Sequence, residues 1–386
     1  MINVTFYHNI LWSRYKGEVF SALHALGNAE SEAYTFVQIA ETEGDRALLS
    51  PVDLRYHRYP FELLFKGAYG AVPRVRLAWS TARHVARNPA RLIVLPGYHR
   101  VEFWAMLVAC VLSRKPRAVF CDSTRFDKPR NWWKGLLKRA FFNACDGYFG
   151  YGVRSAEYLL ENGARGDRIY QRCQAAALPI GFDTAQALAQ RVSARAREAS
   201  PRFLFVGRLA PEKGLDTLLQ AFRQFKAARG EGQLVLVGAG PDRDALVARA
   251  GSLGLANSVQ FTGGKDIDGV AEEYSRATCL VLPSTSEPWG LVVNEALHYG
   301  CPIIVSDACG CRPELVEQGV TGFAFDSGNV AQLAHCLALA VDGLADAAGV
   351  GRGCQAHIAQ YSPQHAAKQI RDGCMAILQS PRWGRP

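Results

Sequence analysis

Two glutamates in the C-terminal half of this 386-residue chain have the spacing of ligand-binding groups. Glu287 and Glu295 are separated by seven residues in the segment SEPWGLVVNEALHYG. The loop 288–290 precedes a run with helical spacing, 291–299, so Glu287 lies just before a helix and Glu295 about one turn inside it. Carboxylates without a neighbouring lysine or arginine suit a polyhydroxylated ligand, and the helix dipole attracts the negative end of such a ligand. The pattern indicates a phosphorylated sugar, although helix capping by Glu287 and a solvated Glu295 would also explain it.

A second segment, GRLAPEKG at 207–214, supplies the cations that such a ligand needs. It follows a short apolar strand, and Gly207 permits a tight backbone turn there. Arg208 and Lys213 then present positive charge at the carboxyl end of the strand, and Gly214 precedes a helix whose amides face the same space. The segment is typical of a phosphate-binding loop. The alternative is an exposed loop that is basic without binding anything.

Two further predicted strands end in glycines. The turn GAGP at 238–241 opens a helix, but its proline departs from the dinucleotide-binding fingerprint and no GxGxxG is completed. Gly263 and Gly264 close the next strand and leave the backbone accessible to a flat ring such as a nucleobase. The glycines therefore disfavour a nicotinamide-dependent dehydrogenase and are compatible with another nucleotide ligand.

The elements that must position these residues are short apolar strands alternating with amphipathic helices, which is typical of doubly wound parallel sheets. Strands are expected at 3–7, 92–95, 118–121, 147–151, 203–206, 234–237, 259–262, 279–282 and 303–305. We therefore predict an α/β protein of two Rossmann-like domains, 1–185 and 186–386, that face each other across a cleft. The polar stretch 183–200 marks the boundary. The final helical segment, 363–378, is a candidate to pack back on the first domain.

Taken in order, five motifs resemble the C-terminal domain of the family 4 glycosyltransferases, which are retaining enzymes with the GT-B fold. The motifs are GRLAPEKG, VGAGP, FTGG, EPWGLVVNE and GCPIIVSDACGCRPEL, and together they cover about 203–326. The resemblance implies that Arg208 and Lys213 bind the donor diphosphate. It implies that Glu295 takes the ribose hydroxyls and that Glu287 contacts the donor hexose beside the reacting carbon. The other donor-binding residues that it implies are Gly207, Gly263, Trp289, Gly290, Leu291 and Val292.

The chemistry of sugar transfer explains the need for these residue types. An oxocarbenium-like centre forms while negative charge grows on the departing diphosphate, so fixed cations stabilise the transition state more than the ground state. With Arg208 and Lys213 in that role, we expect no metal ion and no cofactor. The run DID at 266–268 is expected to begin a helix, and the CGC segment at 309–311 lacks the second ligand pair of a zinc site. The resemblance implies retention by attack from the leaving-group side, with a covalent intermediate on Glu287 as the alternative.

The first domain departs from the family pattern in two places. Family members often carry two glycines in the loop after their first strand, whereas this chain reads HNILWSRYKG at 8–17 and retains only Gly17. Many members also place an active-site histidine after an N-terminal strand, where this chain has Asp122. Asp122 is the obvious substitute, and His99, which follows another predicted strand, is the competing candidate for contact with the reacting sugar.

The excess positive charge of the chain is confined to its first half. The net charge is +9, and residues 1–185 hold 25 Lys and Arg against 16 Asp and Glu. In this half the segment 125–142, RFDKPRNWWKGLLKRAFF, predicts a basic amphipathic helix from about Asn131. Its apolar side would suit the surface of an anionic membrane, whereas an ordinary core helix has the same pattern. We do not expect binding to nucleic acid.

Together these features predict a glycosyltransferase that moves a hexose-type sugar from a nucleotide-diphosphate sugar to a glycan or lipid-linked glycan acceptor, in polysaccharide or glycolipid biosynthesis. One alternative is a GT-B sugar-nucleotide epimerase or phosphorylase. Another is a non-catalytic protein that binds nucleotide sugars. The sequence has no apolar stretch of about 18 residues and no basic-then-apolar N-terminus, so we expect a cytoplasmic protein, either free or at the inner face of the cell membrane.

Overall fold

The computed structural model describes residues 2–30, 32–44, 51–126 and 132–383, with the side chains of 132–134 excepted. These residues form two compact units. The first unit contains Met1–Ala177 and Tyr361–Pro386, and the second is Leu178–Gln360. Each unit is built around one parallel β-sheet.

Within the described residues, the first unit contains a seven-stranded sheet in the order β3-β2-β1-β4-β5-β6-β7, with every adjacent pair parallel. The strands are β1 (Asn3–Ile10), β2 (Ala33–Thr42), β3 (Phe61–Ala68), β4 (Leu92–Leu95), β5 (Arg117–Cys121), β6 (Gly147–Gly150) and β7 (Ile169–Tyr170). The helices that connect them are α1 (Arg14–Glu30), α2 (Arg74–Arg87), α3 (Val101–Leu112), α4 (Trp132–Asn143) and α5 (Val153–Glu161). Alternate residues of the central strands enter two apolar clusters, one on each face, so β4 and β5 are buried throughout.

The second unit contains a six-stranded sheet in the order β10-β9-β8-β11-β12-β13, again parallel at every described pair. The strands are β8 (Arg202–Val206), β9 (Gln233–Val237), β10 (Val259–Gly263), β11 (Cys279–Leu282), β12 (Ile303–Ser306) and β13 (Gly322–Phe325). The helices are α6 (Thr184–Arg195), α7 (Leu215–Arg229), α8 (Arg243–Ser252), α9 (Ile267–Arg276), α10 (Leu291–His298), α11 (Arg312–Leu315), α12 (Val330–Gly343) and α13 (Ala347–Ile358). The strand order reverses between β8 and β11, and ligands of open parallel sheets bind at such a switch point.

The last helix, α14 (Pro363–Leu378), belongs to the first unit. Its N-terminus is capped by Ser362, whose side chain accepts a hydrogen bond from a backbone amide of the first turn. Its apolar face, which includes Ala366, Ile370 and Ile377, joins the core on one side of the first sheet. The sequence placed this segment in the domain 186–386 and also named it as a candidate to pack back on the first domain, and the structure shows the second of these arrangements.

The boundary between the two units also lies earlier in the chain than expected. The structure divides the chain at 177/178, because Phe182 already packs edge-on against Tyr299 with ring centroids 5.0 Å apart. Asp183 then caps α6 by accepting a hydrogen bond from the Gln186 amide at 2.7 Å. Most of the polar stretch that was expected to mark the boundary thus forms the first helix of the second unit.

All nine predicted strands are present, with ends that differ by up to three residues. Four strands were not predicted: β2, β3, β7 and β13. Two of these are the outer strands β3 and β7, in which no residue is fully buried, so their sequences lack the continuous apolar run of the central strands. The helix α4 falls in the predicted amphipathic segment 125–142, but residues 127–131 and the side chains of 132–134 lie outside the described part of the chain.

Candidate functional site

The residues singled out in the second half of the sequence gather at one edge of the second sheet. Gly207 follows β8, Gly263 ends β10, and Glu287 lies in the loop between β11 and α10. Because these strands are parallel neighbours, their carboxyl ends meet at the same edge. The candidate donor residues therefore lie where the fold places ligands.

The loop 207–214 is held against the loop that follows β11. The amide of Thr285 donates to the carbonyl of Glu212 at 2.8 Å. Gly214 has φ of +63°, and a Cβ on it would lie 2.2 Å from the carbonyl oxygen of Pro283. Only glycine fits this approach, so the sequence GRLAPEKG both turns the chain and brings its cations to the neighbouring strand end.

Two ion pairs occupy this loop. Lys213 Nζ lies 2.5 Å from Glu287 Oε2, and the two side chains are only 16% and 15% exposed. Arg208 pairs with Glu212 four residues later, in a more exposed position. The pKa of the Glu212 carboxyl is lowered: its partial burial opposes the shift, but hydrogen bonds from its own amide and from Arg208 outweigh it. The cations expected at the diphosphate thus face carboxylates of the same unit.

The Glu287 loop is fastened to the segment 309–311, and this explains the CGC sequence there. The Gly310 amide donates to the Glu287 carbonyl at 2.8 Å, and the Cys311 amide donates to the Trp289 carbonyl at 3.1 Å. A Cβ on Gly310 would lie 1.8 Å from the carbonyl oxygen of Pro288. The segment 309–311 therefore holds the Glu287 loop in place through backbone contacts.

The aromatic residue of the EPWG motif points into the protein rather than towards a ligand. Trp289 is 3% exposed, and its indole Nε1 donates to Oδ1 of the fully buried Asn294 at 2.8 Å. Gly290 follows with φ of +98° and begins α10, where Leu291 and Val292 are half-buried. Any contact of Trp289 with a ligand would come from its backbone, as the family resemblance implied.

Glu295 is oriented by a tyrosine that the sequence analysis did not identify. It lies in the second turn of α10, as predicted, and Tyr274 of α9 donates a hydrogen bond from its hydroxyl to Glu295 Oε2 at 2.9 Å. Burial and the nearby carboxylate raise the pKa of Tyr274 well above its usual value, so this hydroxyl remains a donor. The only sequence signal for Tyr274 was its position on the buried face of a helix, which does not distinguish a partner of Glu295 from a core residue.

The glycines of the neighbouring turns have two different roles. A Cβ on Gly238 would lie 1.8 Å from the carbonyl of Gly207, and one on Gly240 would lie 2.2 Å from that of Leu209. These two glycines let the loops after β8 and β9 pack backbone to backbone. Gly263 has φ of +73° and a Cβ there would meet nothing within 4 Å, which leaves open space where a base was expected.

The two candidate residues of the first unit lie at the carboxyl edge of its own sheet. His99 follows β4 and Asp122 follows β5, and both are exposed. Their loops are joined by a hydrogen bond from the Tyr98 hydroxyl to Ser123 Oγ at 2.9 Å. The structure thus places both alternatives on neighbouring strands without favouring one.

A buried lysine close to Asp122 was not singled out by the sequence analysis. Lys16 is 2% exposed, its Nζ lies 4.0 Å from the centre of the Phe120 ring, and that atom has no hydrogen-bond partner among the residues that the structure describes. Burial lowers the pKa of Lys16 to about 8, while Cys173 and Asp122 oppose the shift. The adjacent Gly17 lies within α1 rather than in the preceding loop, and a Cβ on it would lie 2.7 Å from a backbone oxygen. Gly17 is therefore required for helix packing.

The cysteines are distributed as buried thiols. All eleven are free and buried. In the described ranges, no three His, Cys, Asp or Glu side chains come together as a possible metal-ligand set. The DID run at 266–268 begins α9 as predicted, with Asp266 accepting a hydrogen bond from the Gly269 amide at 2.9 Å.

The comparison with protein families gives a match for this second unit. Residues 188–348 match the family described as glycosyl transferases group 1. Among relatives, the D-inositol 3-phosphate glycosyltransferase of Mycolicibacterium smegmatis is 33% identical over 172 residues, which are 43% of this chain and 38% of the relative. A GDP-mannose-dependent alpha-(1-6)-phosphatidylinositol monomannoside mannosyltransferase of Mycobacterium tuberculosis is 32% identical over 145 residues, 36% of this chain and 37% of the relative. The chain thus spans less than two fifths of the length of these two relatives.

Solved structures resemble nearly the whole chain. Anabaena Alr3699/HepE in complex with UDP has a TM-score of 0.71 at 19% identity, and covers 96% of this chain and 99% of its own. The lipopolysaccharide outer core galactosyltransferase WaaB in its apo form has a TM-score of 0.71 at 15% identity, covering 97% and 99%. At these identities the likeness shows the fold alone.

The two parallel sheets and these neighbours define an α/β protein of the GT-B fold, with two Rossmann-like domains. The match to the group 1 glycosyltransferases covers residues 188–348, which lie in the second unit and contain Arg208, Lys213, Glu287 and Glu295. The predicted fold class is confirmed, and the predicted resemblance of the C-terminal domain to glycosyltransferases is confirmed over the matched residues 188–348.

Proposed function

We propose that this protein transfers a hexose-type sugar from a nucleotide-diphosphate sugar to a glycan or lipid-linked glycan acceptor, with retention of configuration, as a member of family 4. The observation that carries the proposal is the convergence of Lys213, Glu287 and Glu295 at the switch point of the second sheet. The names of the relatives, which are sugar transferases, support it, as does the UDP and glucose bound to Anabaena Alr3699/HepE.

In this proposal the second unit holds the donor. Glu295, oriented by Tyr274, accepts hydrogen bonds from the ribose hydroxyls, and the open backbone at Gly263 admits the base. Lys213 and Arg208 exchange their carboxylate partners for the diphosphate, whose charge grows as the glycosidic bond breaks. Because they bind the departing phosphate more strongly than the intact donor, they lower the barrier.

The proposal includes metal independence and no cofactor, because two cations of the chain serve the diphosphate. The phosphate itself accepts the proton of the acceptor hydroxyl, and Glu287 contacts the donor hexose beside the reacting carbon. In the first unit, Asp122 or His99 contacts the reacting sugar. A covalent intermediate on Glu287 is the competing mechanism, and trapping a glycosylated Glu287 would establish it.

We further propose that the protein binds its acceptor at the cytoplasmic side of a membrane. We also propose that it does not bind nucleic acid. Among the described residues, no single helix is long and apolar enough to cross a bilayer. One sharply bent pair of helical segments, Val330–Gly343 with Ala347–Leu378, has the length and composition of a membrane span, and only these two properties point to one. For the segment 125–142, the exposure of Leu136 and Leu137 on α4, 58% and 50%, supports contact with lipid.

The first experiment is a panel of nucleotide sugars and free nucleotides tested by thermal shift. A true donor at 100 times its dissociation constant adds about 2.7 kcal/mol to the free energy of unfolding. Glu295→Ala should abolish this shift, whereas Glu231→Ala, at the opposite edge of the sheet, should not. If no nucleotide or nucleotide sugar stabilises the protein, the donor site is wrongly assigned.

The second experiment separates transfer from the alternative activities. The donor that stabilises the protein is incubated with and without a lipid-linked glycan extract, with and without a chelator, and the products are analysed by NMR. An α-linked product from an α-linked donor, unaffected by the chelator, supports retention without a metal. Epimerised donor in the absence of acceptor would instead indicate an epimerase, and donor binding without turnover would indicate a binding protein.

A further inference from the structure

One helix of the first unit is apolar on its exposed side as well as on its buried side. The outward stripe of α3 consists of Val101, Ala105, Val108 and Leu112, spaced by four, three and four residues. Val101, Val108 and Leu112 are 61%, 51% and 79% exposed. Its inward side, which includes Phe103, is buried in the core of the unit. A helix that is apolar all round is normally covered on every side, so the exposed stripe lacks an explanation within the described chain.

The neighbouring helix α2 presents a similar surface. Val75 and Trp79 are 82% and 61% exposed, while the inward side, which includes Leu77 and Val85, is buried. The guanidinium of Arg83 lies 4.9 Å from the centre of the Trp79 ring. The exposed side of α2 is therefore a mixture of large apolar groups and arginines.

The two helices are fixed side by side and run in the same direction. At their N-terminal ends, Tyr69, just before α2, donates a hydrogen bond to Glu102 in the first turn of α3. At their C-terminal ends, Lys115, just after α3, donates to the carbonyl of Val85 near the end of α2 at 2.8 Å. Their exposed sides, which we call the α2–α3 face, therefore form one surface.

The segment that forms the two helices is almost entirely positive in charge, although Glu62 of β3, 55% exposed, reaches His84 of α2 at 3.1 Å. The segment 69–117 contains nine Lys and Arg and one acidic residue, Glu102. Glu102 is 3% exposed and hydrogen-bonded to Tyr69, so it does not reach the surface. The exposed cations are Arg74, Arg76, Arg83, Arg87, Arg91 and Arg114. Much of the positive excess of the first half of the chain is thus concentrated around the α2–α3 face.

We propose that the α2–α3 face docks on the surface of an anionic lipid bilayer. Trp79, Val75 and Leu112 enter the boundary between headgroups and acyl chains, and the surrounding arginines contact lipid phosphates. With twelve residues, α3 is about 18 Å long and too short to cross a bilayer, so the contact is peripheral. This surface is separate from the segment 125–142 and does not depend on the proposed transfer reaction.

Charge and apolarity together select lipid over the other possible occupants. A second copy of this chain, bound through the same face in a symmetric dimer, would bring unpaired arginines against arginines. Nucleic acid would neutralise the arginines but leave Val75, Val108 and Leu112 in water. A bilayer with anionic headgroups satisfies both the charged and the apolar groups.

The test is cosedimentation of the full chain with vesicles of phosphatidylcholine alone and of equimolar phosphatidylcholine and phosphatidylglycerol. The wild-type protein should bind the anionic vesicles and not the neutral ones. The double variant Val75→Glu/Leu112→Glu should bind the anionic vesicles at least about tenfold more weakly, since it places charge at the acyl boundary. The matched control is Val247→Glu, an exposed valine of α8 that should leave binding unchanged.

A second variant tests the electrostatic part without altering apolar groups. Arg76→Gln/Arg83→Gln/Arg87→Gln should weaken binding to anionic vesicles by about tenfold or more and reduce its dependence on salt. Circular dichroism checks that each variant is folded, and the charge variant keeps the test decisive should the apolar one unfold. The proposal is overturned if the wild-type protein ignores anionic vesicles or if folded variants bind as it does. It is also overturned if the wild type is a dimer that Leu112→Glu dissociates.

Discussion

Lys213, in the loop that follows β8, donates a hydrogen bond to Glu287, in the loop that follows β11, and Nζ and Oε2 are 2.5 Å apart. The residue expected to bind the donor phosphate is thus paired with the residue expected to contact the donor sugar. A diphosphate that approaches Lys213 must compete with this carboxylate. The pair therefore connects nucleotide affinity to the charge of Glu287.

We predict that Glu287→Gln strengthens the binding of a free nucleoside diphosphate while sugar transfer falls. Removing the negative charge releases Lys213. Because the pair is mostly buried and therefore weakly screened, we expect a gain of at least about 1 kcal/mol, which corresponds to about fivefold in the dissociation constant. Isothermal titration calorimetry measures the affinity, with Glu231→Gln as the control. An unchanged or weaker affinity would contradict the idea that Glu287 competes for Lys213.

Lys213→Ala should lower the rate of sugar transfer. Loss of a fixed cation at the departing phosphate is expected to lower kcat by about a hundredfold or more. Measurement of kcat with the donor identified by thermal shift tests this, and Lys66→Ala, an exposed lysine of the first unit, is the control. If kcat is retained and only KM rises, Lys213 binds the ground state and the transition state equally and does not lower the barrier of the chemical step.

Tyr274→Phe should weaken recognition of the ribose. The variant removes the hydroxyl that donates to Glu295 Oε2 at 2.9 Å, so the carboxylate loses its orientation. We expect the KM for the nucleotide sugar to rise by about tenfold, which corresponds to about 1.4 kcal/mol. The KM for the 2′-deoxy analogue of the donor should change little in this variant. The preference for the ribonucleotide donor over its deoxy analogue should therefore fall.

A matched control exists for this variant in the first unit. Tyr148→Phe also removes a buried hydroxyl, one that donates to the carbonyl of Phe142 at 2.7 Å. It should lower stability without changing the ratio of affinities for ribose and deoxyribose donors. Equal ratios in wild type and Tyr274→Phe would show that Tyr274 is a packing residue only.

Gly310→Ala should displace the Glu287 loop. A Cβ at Gly310 would lie 1.8 Å from the Pro288 carbonyl oxygen, and the clash involves backbone on both sides, so it cannot be relieved by rotating a side chain. We expect a loss of about 2 kcal/mol or more in the free energy of unfolding, together with loss of donor binding. Urea denaturation measures the first effect. Gly251→Ala, in α8 with nothing within 4 Å of its added Cβ, should be neutral or slightly stabilising.

Lys16→Met should stabilise the protein in a pH-dependent way. Burial lowers the pKa of Lys16 to about 8 from 10.5, so between these values the unfolded chain binds a proton that the folded chain releases. The penalty for burying the charge is therefore fully present below pH 8 and fades as the pH approaches 10.5. The variant should gain up to about 3 kcal/mol at pH 7 and progressively less above pH 8. Denaturation at several pH values tests this, with Lys66→Met as the exposed control, and a gain that does not change with pH would exclude titration of Lys16 as its cause.

Much of the second unit follows from its sequence, because local signals there are strong. Four of its five predicted strands are continuous apolar runs, and β10 is the exception because Gln260 and Thr262 alternate with apolar residues. The glycines at 214 and 310 are required because a side chain at either position would meet backbone atoms. Outer strands such as β13 and β3 were missed, since a strand buried on fewer sides has no such run. In the first unit the inner strand β2 was also missed, because Thr35 and Gln38 interrupt its apolar run although residues 36–40 are buried.

By itself, the sequence determined the fold class, the resemblance of the C-terminal domain to glycosyltransferases and the identity of the charged residues, since residue types, glycines and hydrophobic periodicity are local properties. Only the tertiary structure decided which groups meet: Lys213 with Glu287, Tyr274 with Glu295, and the last helix with the first sheet. It also showed that the positive charge surrounds an exposed apolar surface on α2 and α3. These pairings join residues far apart in the chain, and their geometry depends on how strands are ordered in the sheet, which no local pattern specifies.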